Sequence, residues 1–321
     1  MKAIRPKQVG GPEQLQLDDF PTPAPGPSEV LVRVAAAGVN YIDIYHRTGL
    51  YPLPLPLAIG LEGAGTVEQV GSSVRELRVG DRVAWCGVPG SYASHVVASA
   101  ERLVPVPDNI ETNIAAALLL QGLTAHYLTR STFPLRADHV VLVHAAAGGV
   151  GLLLVQLAKR SGARVLGTVS TAAKGALAKD AGADHVIDYQ SGDFAVEVKR
   201  LTGGRGVDVA YDAVGKVTFD QSLDVLAPRG YLVLYGQASG VVPPLELARL
   251  SKGSNFLTRP SLGHYTATRA ELLWRCEEMF CLVASGGLRV RIDRTFPLAQ
   301  AADAHLALAG RATTGKVLLI P

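Results

Sequence analysis

The sequence predicts an α/β protein with two parts, a β-rich domain and a doubly wound parallel sheet with helices on both faces. Two patterns indicate this fold class. Up to about residue 122, short β-branched runs alternate with Gly and Pro turn signals, and from residue 139 onward short apolar strands alternate with segments of helical periodicity. Such alternation is typical of a parallel sheet that is covered by helices. A length of 321 residues suits two domains.

The β-rich part has strand candidates at 30–34, 63–67 and 81–85, separated by glycine-containing turns. Its prolines cluster at 21–27 and 52–56, and because proline has no N–H to donate, these segments are expected to be loops or sheet edges. The chain ends in a strand candidate at 290–296, a helix at 298–309 and a strand at 316–320. We expect this tail to rejoin the β-rich domain, which gives domains of 1–122 with 289–321, and 123–288.

The second part is predicted from the alternation itself. Its strand candidates are 139–144, 164–169, 185–188, 207–211, 230–235 and 255–258. Its helix candidates are 150–161, 172–181, 193–202, 217–226, 244–250 and 268–286.

The composition excludes several classes of protein. Hydrophobic residues make up 48% and charged residues 18% of the chain, which excludes disorder for its bulk. The net charge is +3, and this balance of basic and acidic residues is too even for a dedicated nucleic-acid binder. The three cysteines show no metal-ligand spacing and no secretory signal opens the chain, so we expect a reducing, cytoplasmic location.

One apolar run, Val140–Ala158, has the length of a membrane span. Three glycines interrupt its middle, where a spanning helix would gain nothing from them. We therefore expect a buried strand, a glycine turn and a helix in this run, and no membrane.

The glycine turn after strand 139–144 predicts a dinucleotide site. Ala146 to Gly151 has the pattern of the dinucleotide fingerprint, with alanine in place of the first glycine. Gly148 would let backbone amides approach a pyrophosphate, Gly151 would let helix and strand pack closely, and the helix N-terminus would supply partial positive charge. The alternative is a tight strand–helix turn that binds nothing.

The strand at 164–169 predicts which nucleotide binds. An NAD site usually has an acidic residue about 20 residues beyond the glycine loop, but no Asp or Glu occurs between Gly151 and Asp180. Ser170, Thr171 and Lys174 stand there instead, and hydroxyl groups with a lysine suit a 2′-phosphate. Capping of the next helix is a second reading of the hydroxyls. The sequence favours NADPH over NADH.

The sequence contains no motif of another catalytic centre. The chain has no HExxH, no CxxC, no zinc-like histidine pair and no Tyr-x-x-x-Lys dyad. The chemistry is therefore expected to come from the cofactor together with hydrogen-bonding side chains.

Taken together, six segments resemble the medium-chain dehydrogenase/reductase superfamily, and within it the zinc-free quinone oxidoreductases related to zeta-crystallin. The segments are 38–43, 47–52, 122–125, 144–151, 211–215 and 311–313. The resemblance implies a Rossmann-type domain, a chaperonin-10-like catalytic domain, and a homodimer formed through the edge strands around 230–258. Zinc relatives read Gly-His-Glu where this chain has Gly60-Leu61-Glu62, and leucine cannot ligate zinc.

The resemblance also implies a cofactor site. Ser170, Lys174 and Tyr189 would surround the 2′-phosphate. The alternatives are a solvated helix lysine for Lys174 and a surface tyrosine at the strand end for Tyr189. Thr124, at the start of a helix, would lie near the nicotinamide or the diphosphate. Arg311 would add a cation at the phosphates, unless it is an ordinary cation near the last turn of helix 298–309. The remaining implied contacts are Gly148, Gly149 and Val150 at the pyrophosphate, Tyr235, Gly236, Gln237 and Ala238 at the nicotinamide ribose, and Pro260, Ser261 and Leu262 at the carboxamide.

The candidate catalytic residues are Asn40, Tyr45 and Tyr51. Charge that develops on an acceptor oxygen needs a hydrogen-bond donor where no metal is present, and a tyrosine can also supply a proton. Asn40 is expected to face the nicotinamide, and its second reading is a cap of helix 41–47. The tyrosines are equally readable as aromatic walls, with water as the proton source.

The expected activity is NADPH-dependent reduction of a quinone, by hydride or by single electrons. A reductase of enones or alkenals would use the same fold and cofactor, and a non-catalytic NADPH-binding protein is the third reading.

Overall fold

The structure is a computed structural model that describes residues 1–190 and 192–321. The chain divides into two compact units. The first comprises Met1–Leu123 and Thr266–Pro321, and the second comprises Thr124–Tyr265. None of the described helices combines the length and the apolar character that crossing a membrane requires.

The strands, in chain order, are β1 (Lys2–Ile4), β2 (Leu17–Asp19), β3 (Glu29–Val39), β4 (Glu62–Val70), β5 (Arg82–Cys86), β6 (His95–Ser99), β7 (Val104–Pro105), β8 (Val140–Val143), β9 (Arg164–Val169), β10 (His185–Asp188), β11 (Val207–Asp212), β12 (Leu226–Leu234), β13 (Phe256–Thr258), β14 (Ile292–Pro297) and β15 (Lys316–Ile320).

The α-helices are α1 (Tyr41–Thr48), α2 (Thr112–Tyr127), α3 (Gly149–Arg160), α4 (Ala172–Asp180), α5 (Phe194–Leu201), α6 (Phe219–Asp224), α7 (Ala248–Ser251), α8 (Leu262–Tyr265), α9 (Arg269–Ala284) and α10 (Ala301–Ala309). Short 3₁₀ turns cover Pro12–Gln14, Ala100–Arg102 and Leu298–Gln300, and a π-helical turn, Leu128–Thr132, follows α2.

The first unit is built on a sheet in the order β14-β15-β3-β4-β5-β7, with β6 also paired to β3. All neighbours are antiparallel except β14 and β15. Strand β3 is longer than the predicted 30–34 because its small residues let both neighbours approach. Ala37, for example, is fully buried and pairs with Gly63 of β4 and Leu319 of β15.

The second unit contains a parallel sheet of six strands in the order β10-β9-β8-β11-β12-β13. The order reverses between β8 and β11, and the carboxyl ends of parallel strands at such a point are where open α/β sheets bind their ligands. The predicted α/β class, with a doubly wound parallel sheet and a β-rich domain, is confirmed. The apolar run at 140–158 forms β8, the glycine turn and most of α3.

Two predictions about helices differ from the structure. The helix predicted at 244–250 is reduced to α7, because Pro243 and Pro244 cannot donate backbone hydrogen bonds and the chain is irregular up to Leu247. Thr124 does not begin a helix. It lies in the last turn of α2, which continues through Gly122 to Tyr127.

Residues 266–288 belong to the first unit, whereas the predicted domain boundary assigned them to the second. Side chains explain their place. Arg269 donates to the carbonyl oxygens of Glu101 (2.8 Å) and Leu103 (2.6 Å), and Arg102 donates to the carbonyl oxygen of Thr266 (2.8 Å). The division into functional domains stays a prediction.

Candidate cofactor and active site

The turn between β8 and α3 has the geometry that a phosphate loop needs. A Cβ on Gly151 would lie 2.2 Å from the Ala145 carbonyl oxygen, so no other residue fits without displacing the backbone. Ala145 itself has a left-handed φ of 50°, and its carbonyl accepts from the Gly148 amide at 2.8 Å. Helix α3 begins at Gly149, and the N–H groups of a first helical turn have no partner within the helix. Gly149 and Val150 therefore present backbone N–H groups without an acceptor in the helix, and such groups bind a pyrophosphate.

The end of β9 brings together the residues predicted for the 2′-phosphate. The Lys174 ammonium donates to the Ser170 hydroxyl at 3.4 Å. Tyr189, just after β10, is held beside them because its backbone amide donates to the Val169 carbonyl at 3.2 Å. The capping reading also holds, for Thr171, whose hydroxyl accepts from the Lys174 backbone amide at 3.2 Å. A cation and a hydroxyl at one corner fit a phosphate group.

The loop after β12 lies directly against the loop after β11. The Asp212 carbonyl accepts from the amides of Tyr235 (2.9 Å) and Gly236 (3.3 Å), and the Ala238 amide donates to the Ala213 carbonyl at 3.1 Å. A Cβ on Gly236 would lie 2.6 Å from that same Ala213 oxygen, so the close approach requires glycine. Gln237, in the same loop, is buried.

The segment that follows β13 is attached to the end of α2 by an aromatic stack. The rings of Tyr127 and Tyr265 are 4.3 Å apart and almost parallel, at 7°. The Thr132 hydroxyl, in the π-helical turn, donates to the Tyr265 phenol at 3.0 Å. Pro260, Ser261 and Leu262 therefore belong to the same body as the end of α2, which carries Thr124. Neither tyrosine stands in a recognisable motif, so this stack is not predictable from the sequence.

Asn40, predicted to face the nicotinamide, is 3% exposed and its amide is occupied within the first unit. The amide nitrogen donates to the Glu62 carboxylate at 2.8 Å and to the Gly38 carbonyl at 3.3 Å. The amide oxygen accepts from the Lys316 ammonium at 2.8 Å. As the geometry stands, Asn40 has no amide hydrogen left for an acceptor molecule.

Glu62 and Lys316 form a buried ion pair that sequence reasoning missed. They are 0% and 1% exposed, and the Lys316 ammonium donates to the carboxylate oxygen Oε2. The other oxygen, Oε1, accepts from the Leu120 backbone amide at 2.7 Å. No sequence motif marks the pair, because Glu62 lies in the Gly60-Leu61-Glu62 segment and Lys316 opens a strand whose other residues are apolar.

Helix α1 begins on a second buried polar cluster. The Asp43 carboxylate accepts from the Asn40 backbone amide and from the Tyr92 phenol, both at 2.9 Å. Burial raises the pKa of Asp43 to about 7. The Tyr92 phenol also lies 3.0 Å from His305 Nε2, and burial lowers the pKa of that histidine to about 3. The cap reading of Asn40 is thus realised through its backbone, with Asp43 as the acceptor.

The two candidate phenols lie together. The Tyr45 and Tyr51 rings are 5.0 Å apart in an edge-to-face arrangement, and Tyr41 lies 5.7 Å from Tyr45. Gly49, with a φ of 79°, turns the chain after α1 so that the Tyr51 amide donates to the Tyr45 carbonyl at 3.1 Å. The arrangement suits both readings, a pair of hydrogen-bond donors or an aromatic wall.

Arg311 follows α10 with a left-handed φ of 56°, and its side chain is exposed. Burial raises the pKa of the Tyr41 phenol, and a hydrogen bond with the Arg311 guanidinium opposes that rise. Arg311 is therefore tied to the start of α1, within the first unit.

The described residues contain no group of three or more His, Cys, Asp or Glu side chains that could hold a metal ion. Leu61 stands between Gly60 and Glu62, where zinc relatives have histidine.

Comparison with protein families defines the class. Residues 26–108 match the alcohol dehydrogenase GroES-like domain, and residues 149–270 match the zinc-binding dehydrogenase family. A GroES-like unit followed by a Rossmann-type sheet is the architecture of a medium-chain dehydrogenase/reductase.

Individual relatives narrow the class. The chain is 48% identical to a quinone oxidoreductase of Pseudomonas aeruginosa, over 100% of this chain and 99% of that protein. It is 42% identical to a 2-haloacrylate reductase of a Burkholderia species, over 97% and 96% of the two chains. The structure of Escherichia coli quinone oxidoreductase complexed with NADPH superposes with a TM-score of 0.98 at 44% identity, covering 100% of each chain. The protein belongs to the zinc-free quinone oxidoreductase family of this superfamily.

Proposed function

We propose that the protein is an NADPH-dependent quinone oxidoreductase that reduces its acceptor without a metal. The observation that carries this proposal is the similarity to quinone oxidoreductases over the whole chain. The corner at the end of β9, with Ser170 and Lys174 in place of an acid, independently supports the phosphorylated nucleotide.

The second unit supplies most of the proposed cofactor site. Lys174, Ser170 and Tyr189 bind the 2′-phosphate, and the first-turn amides of Gly149 and Val150 bind the pyrophosphate behind the close turn at Gly148. When bound, NADPH supplies the reducing equivalents from C4 of its nicotinamide. The ring end of the site comprises Thr124, Tyr235, Gly236, Gln237, Ala238, Pro260, Ser261 and Leu262. The role expected for Arg311 at the phosphates stays a prediction.

The first unit supplies the groups proposed to act on the acceptor. Tyr45 and Tyr51 donate hydrogen bonds to the acceptor oxygen as negative charge develops there. For Asn40 we propose a role other than the one expected from the sequence. Because its amide is engaged by Glu62 and Lys316, it serves as a positioning residue that fixes the start of α1, the helix that carries Tyr45.

A second candidate activity is reduction of a C=C bond conjugated to a carbonyl. The similarity to a 2-haloacrylate reductase specifically favours it. The same phenols would then stabilise the charge on the carbonyl or carboxylate oxygen of the enone or acrylate.

Steady-state NADPH consumption separates these activities. The purified protein is assayed with 9,10-phenanthrenequinone and with 2-alkenals, each with NADPH and with NADH. We expect turnover with the quinone and NADPH. Activity on alkenals alone would transfer the assignment to the second candidate. NADPH that binds but is oxidised by neither acceptor would indicate a non-catalytic binding protein.

We further propose that the protein is a cytoplasmic homodimer. The dimer is proposed to form along β13, the edge strand of the parallel sheet, where Phe256 and Leu257 are 47% and 37% exposed. Phe256 stacks on Tyr231 with ring centres 4.4 Å apart, so this edge presents an ordered aromatic surface. The cytoplasm is favoured because all three cysteines are free, as in a reducing compartment.

A further inference from the structure

A buried chain of polar side chains runs beneath the carboxyl ends of β8, β9 and β11. Its members are His144, Thr168, Asp212, Thr218 and Ser222, which are between 0% and 8% exposed. No step of the proposed reaction uses any of them. Since burial of an unpaired polar group is costly, a chain of five that is fully paired calls for an explanation.

The hydrogen bonds of this chain run in one direction. The Ser222 hydroxyl donates its one proton to the Thr218 carbonyl at 2.7 Å, so at 2.8 Å from His144 Nε2 it acts as an acceptor. His144 then carries its proton on Nε2, and its bare Nδ1 accepts from the Thr168 hydroxyl at 3.0 Å. Burial lowers the pKa of His144, which keeps the ring neutral and suits this arrangement.

The far end of the chain is the Asp212 carboxylate. One oxygen accepts from the Thr218 hydroxyl at 2.7 Å. The other accepts from the backbone amides of Val214 (2.7 Å) and Gly215 (3.0 Å), which shapes the turn after β11. Because the Ser222 proton goes to the Thr218 carbonyl, Thr218 is the link between Ser222 and the carboxylate, which lies 3.5 Å from the Ser222 hydroxyl.

Three members, His144, Thr168 and Asp212, lie at the bases of loops that are proposed to bind NADPH. His144 is the first residue after β8, and the Ala146 amide of the glycine turn donates to the Thr168 carbonyl at 3.0 Å. Thr168 lies two residues before Ser170 in the chain. The Asp212 carbonyl holds the amides of Tyr235 and Gly236. The pyrophosphate turn, the 2′-phosphate corner and the ring-end loop therefore share one buried hydrogen-bonded base.

We propose that His144, through Thr168 on one side and Ser222 on the other, is the positioning residue that fixes these three loops relative to one another for NADPH binding. The inference rests on the proposed function, because it assigns a role at the same cofactor site. The competing explanation is a satisfied core histidine that stabilises the second unit and nothing else.

Two variants interrupt this series of hydrogen bonds with little change in the shape of the substituted side chain. Thr168→Val replaces the hydroxyl by a methyl group, and His144→Phe keeps a ring against Phe194, whose ring is 4.9 Å away. The matched control is Thr129→Val in the π-helical turn that follows α2. Thr129 is 2% exposed, and its hydroxyl donates to the carbonyl of Ala125 in α2 at 2.8 Å.

The dissociation constant of NADPH is measured by calorimetry without an acceptor, well below the Tm of each variant. Loss of a positioning hydrogen bond is expected to raise this constant about tenfold in Thr168→Val and at least as much in His144→Phe. Thr129→Val is expected to lose a similar amount of Tm but to stay within about twofold of wild type in affinity. His144→Gln, which restores a donor toward Ser222, is expected to recover part of the lost affinity.

Wild-type affinity in Thr168→Val and His144→Phe, accompanied by a lowered Tm, would overturn the positioning role. If His144→Phe does not fold, Thr168→Val decides alone. Failure of the wild-type protein to bind NADPH would refute the proposed function itself, and the two failures are thus distinguishable. The ¹⁵N NMR shifts of His144 provide a second readout, and a proton on Nδ1 would contradict the direction of the chain.

Discussion

Lys174 is the single residue on which the nucleotide assignment depends most. Its ammonium stands at the carboxyl end of β9 beside the Ser170 hydroxyl, where an NAD site would have an acid. A cation there would attract the 2′-phosphate of NADPH, and NADH has no such group. We therefore propose that Lys174 decides between two nucleotides that are otherwise alike.

Lys174→Glu is expected to raise the KM for NADPH about 10- to 100-fold, because a charge-assisted hydrogen bond to phosphate is replaced by repulsion. The KM for NADH should change little. Lys179→Glu makes the same charge change at an exposed position in the last turn of the same helix and serves as the control. Equal losses for both nucleotides would place the 2′-phosphate elsewhere.

The buried ion pair of Glu62 and Lys316 gives a second prediction about single residues. Lys316→Met leaves the Glu62 carboxylate buried without its counter-charge and is expected to cost about 3–5 kcal/mol of unfolding free energy. Adding Glu62→Gln removes that charge, so the double variant should be more stable than Lys316→Met alone. Chemical denaturation of the variants in parallel measures this, and a double variant less stable than Lys316→Met would contradict the pairing.

These two sites differ in how far the sequence could predict them. Ser170 and Lys174 are predictable because the motif is local, and a strand, a turn and a helix in succession place them at one corner. Glu62 and Lys316 are 254 residues apart, and Lys316 opens a strand whose other residues are apolar. Only the pairing of β15 with β3, and of β3 with β4, brings this lysine to that carboxylate.

Among the elements, helix α1 combines structural and proposed catalytic residues. Asp43 accepts from the backbone at its first turn, and Tyr45 lies two residues further along. The short helix is predictable from its sequence, but the burial of Asp43 is not, because Tyr92 and His305 reach it from distant parts of the chain. The position of Thr124 inside α2 is not predictable for a related reason. Gly122 lies within this helix, where a Cβ would be 2.8 Å from the Leu118 side chain.

The raised pKa of Asp43 predicts a pH dependence of stability. Its value of about 7 in the folded protein exceeds the ordinary 3.8, so the folded state retains the proton longer than the unfolded chain as pH rises. The contribution of Asp43 to the unfolding free energy therefore falls as pH rises from about 4 to about 7. Asp43→Asn abolishes this fall.

The stability of Asp43→Asn relative to wild type is therefore expected to improve as pH rises through that window. Urea denaturation of both proteins at several pH values measures the difference. Asp18→Asn, at an exposed position in β2, controls for the loss of one carboxylate. A difference that worsens with rising pH would show that Asp43 is stabilised as the carboxylate.

At the scale of the whole molecule, each unit has its own sheet and its own set of proposed functional residues. The first unit carries the phenols and the buried ion pair, and the second carries the phosphate loops and the buried histidine chain. The alternation of strands and helices made this organisation predictable. The assignment of α9 to the first unit was not, because it depends on Arg269 and Arg102, whose hydrogen bonds the helical pattern does not reveal.

The proposed dimer gives a prediction at this scale. Size-exclusion chromatography with light scattering should give twice the chain mass of 33.7 kDa for the wild type. Phe256→Lys, which places a charge on the exposed edge of β13, should shift the protein toward the monomer. Trp274→Lys changes a comparably exposed aromatic residue on α9 and should remain dimeric. A monomeric wild type would contradict the proposed assembly.

We expect this protein to pass electrons from a 2′-phosphorylated nicotinamide nucleotide to a quinone. The most direct test is kcat/KM for NADPH and for NADH, measured with the same enzyme and a saturating concentration of 9,10-phenanthrenequinone. We expect kcat/KM for NADPH to be at least about tenfold higher than for NADH, because a charge-assisted contact to the 2′-phosphate is worth at least that factor. An equal or higher value for NADH would contradict it.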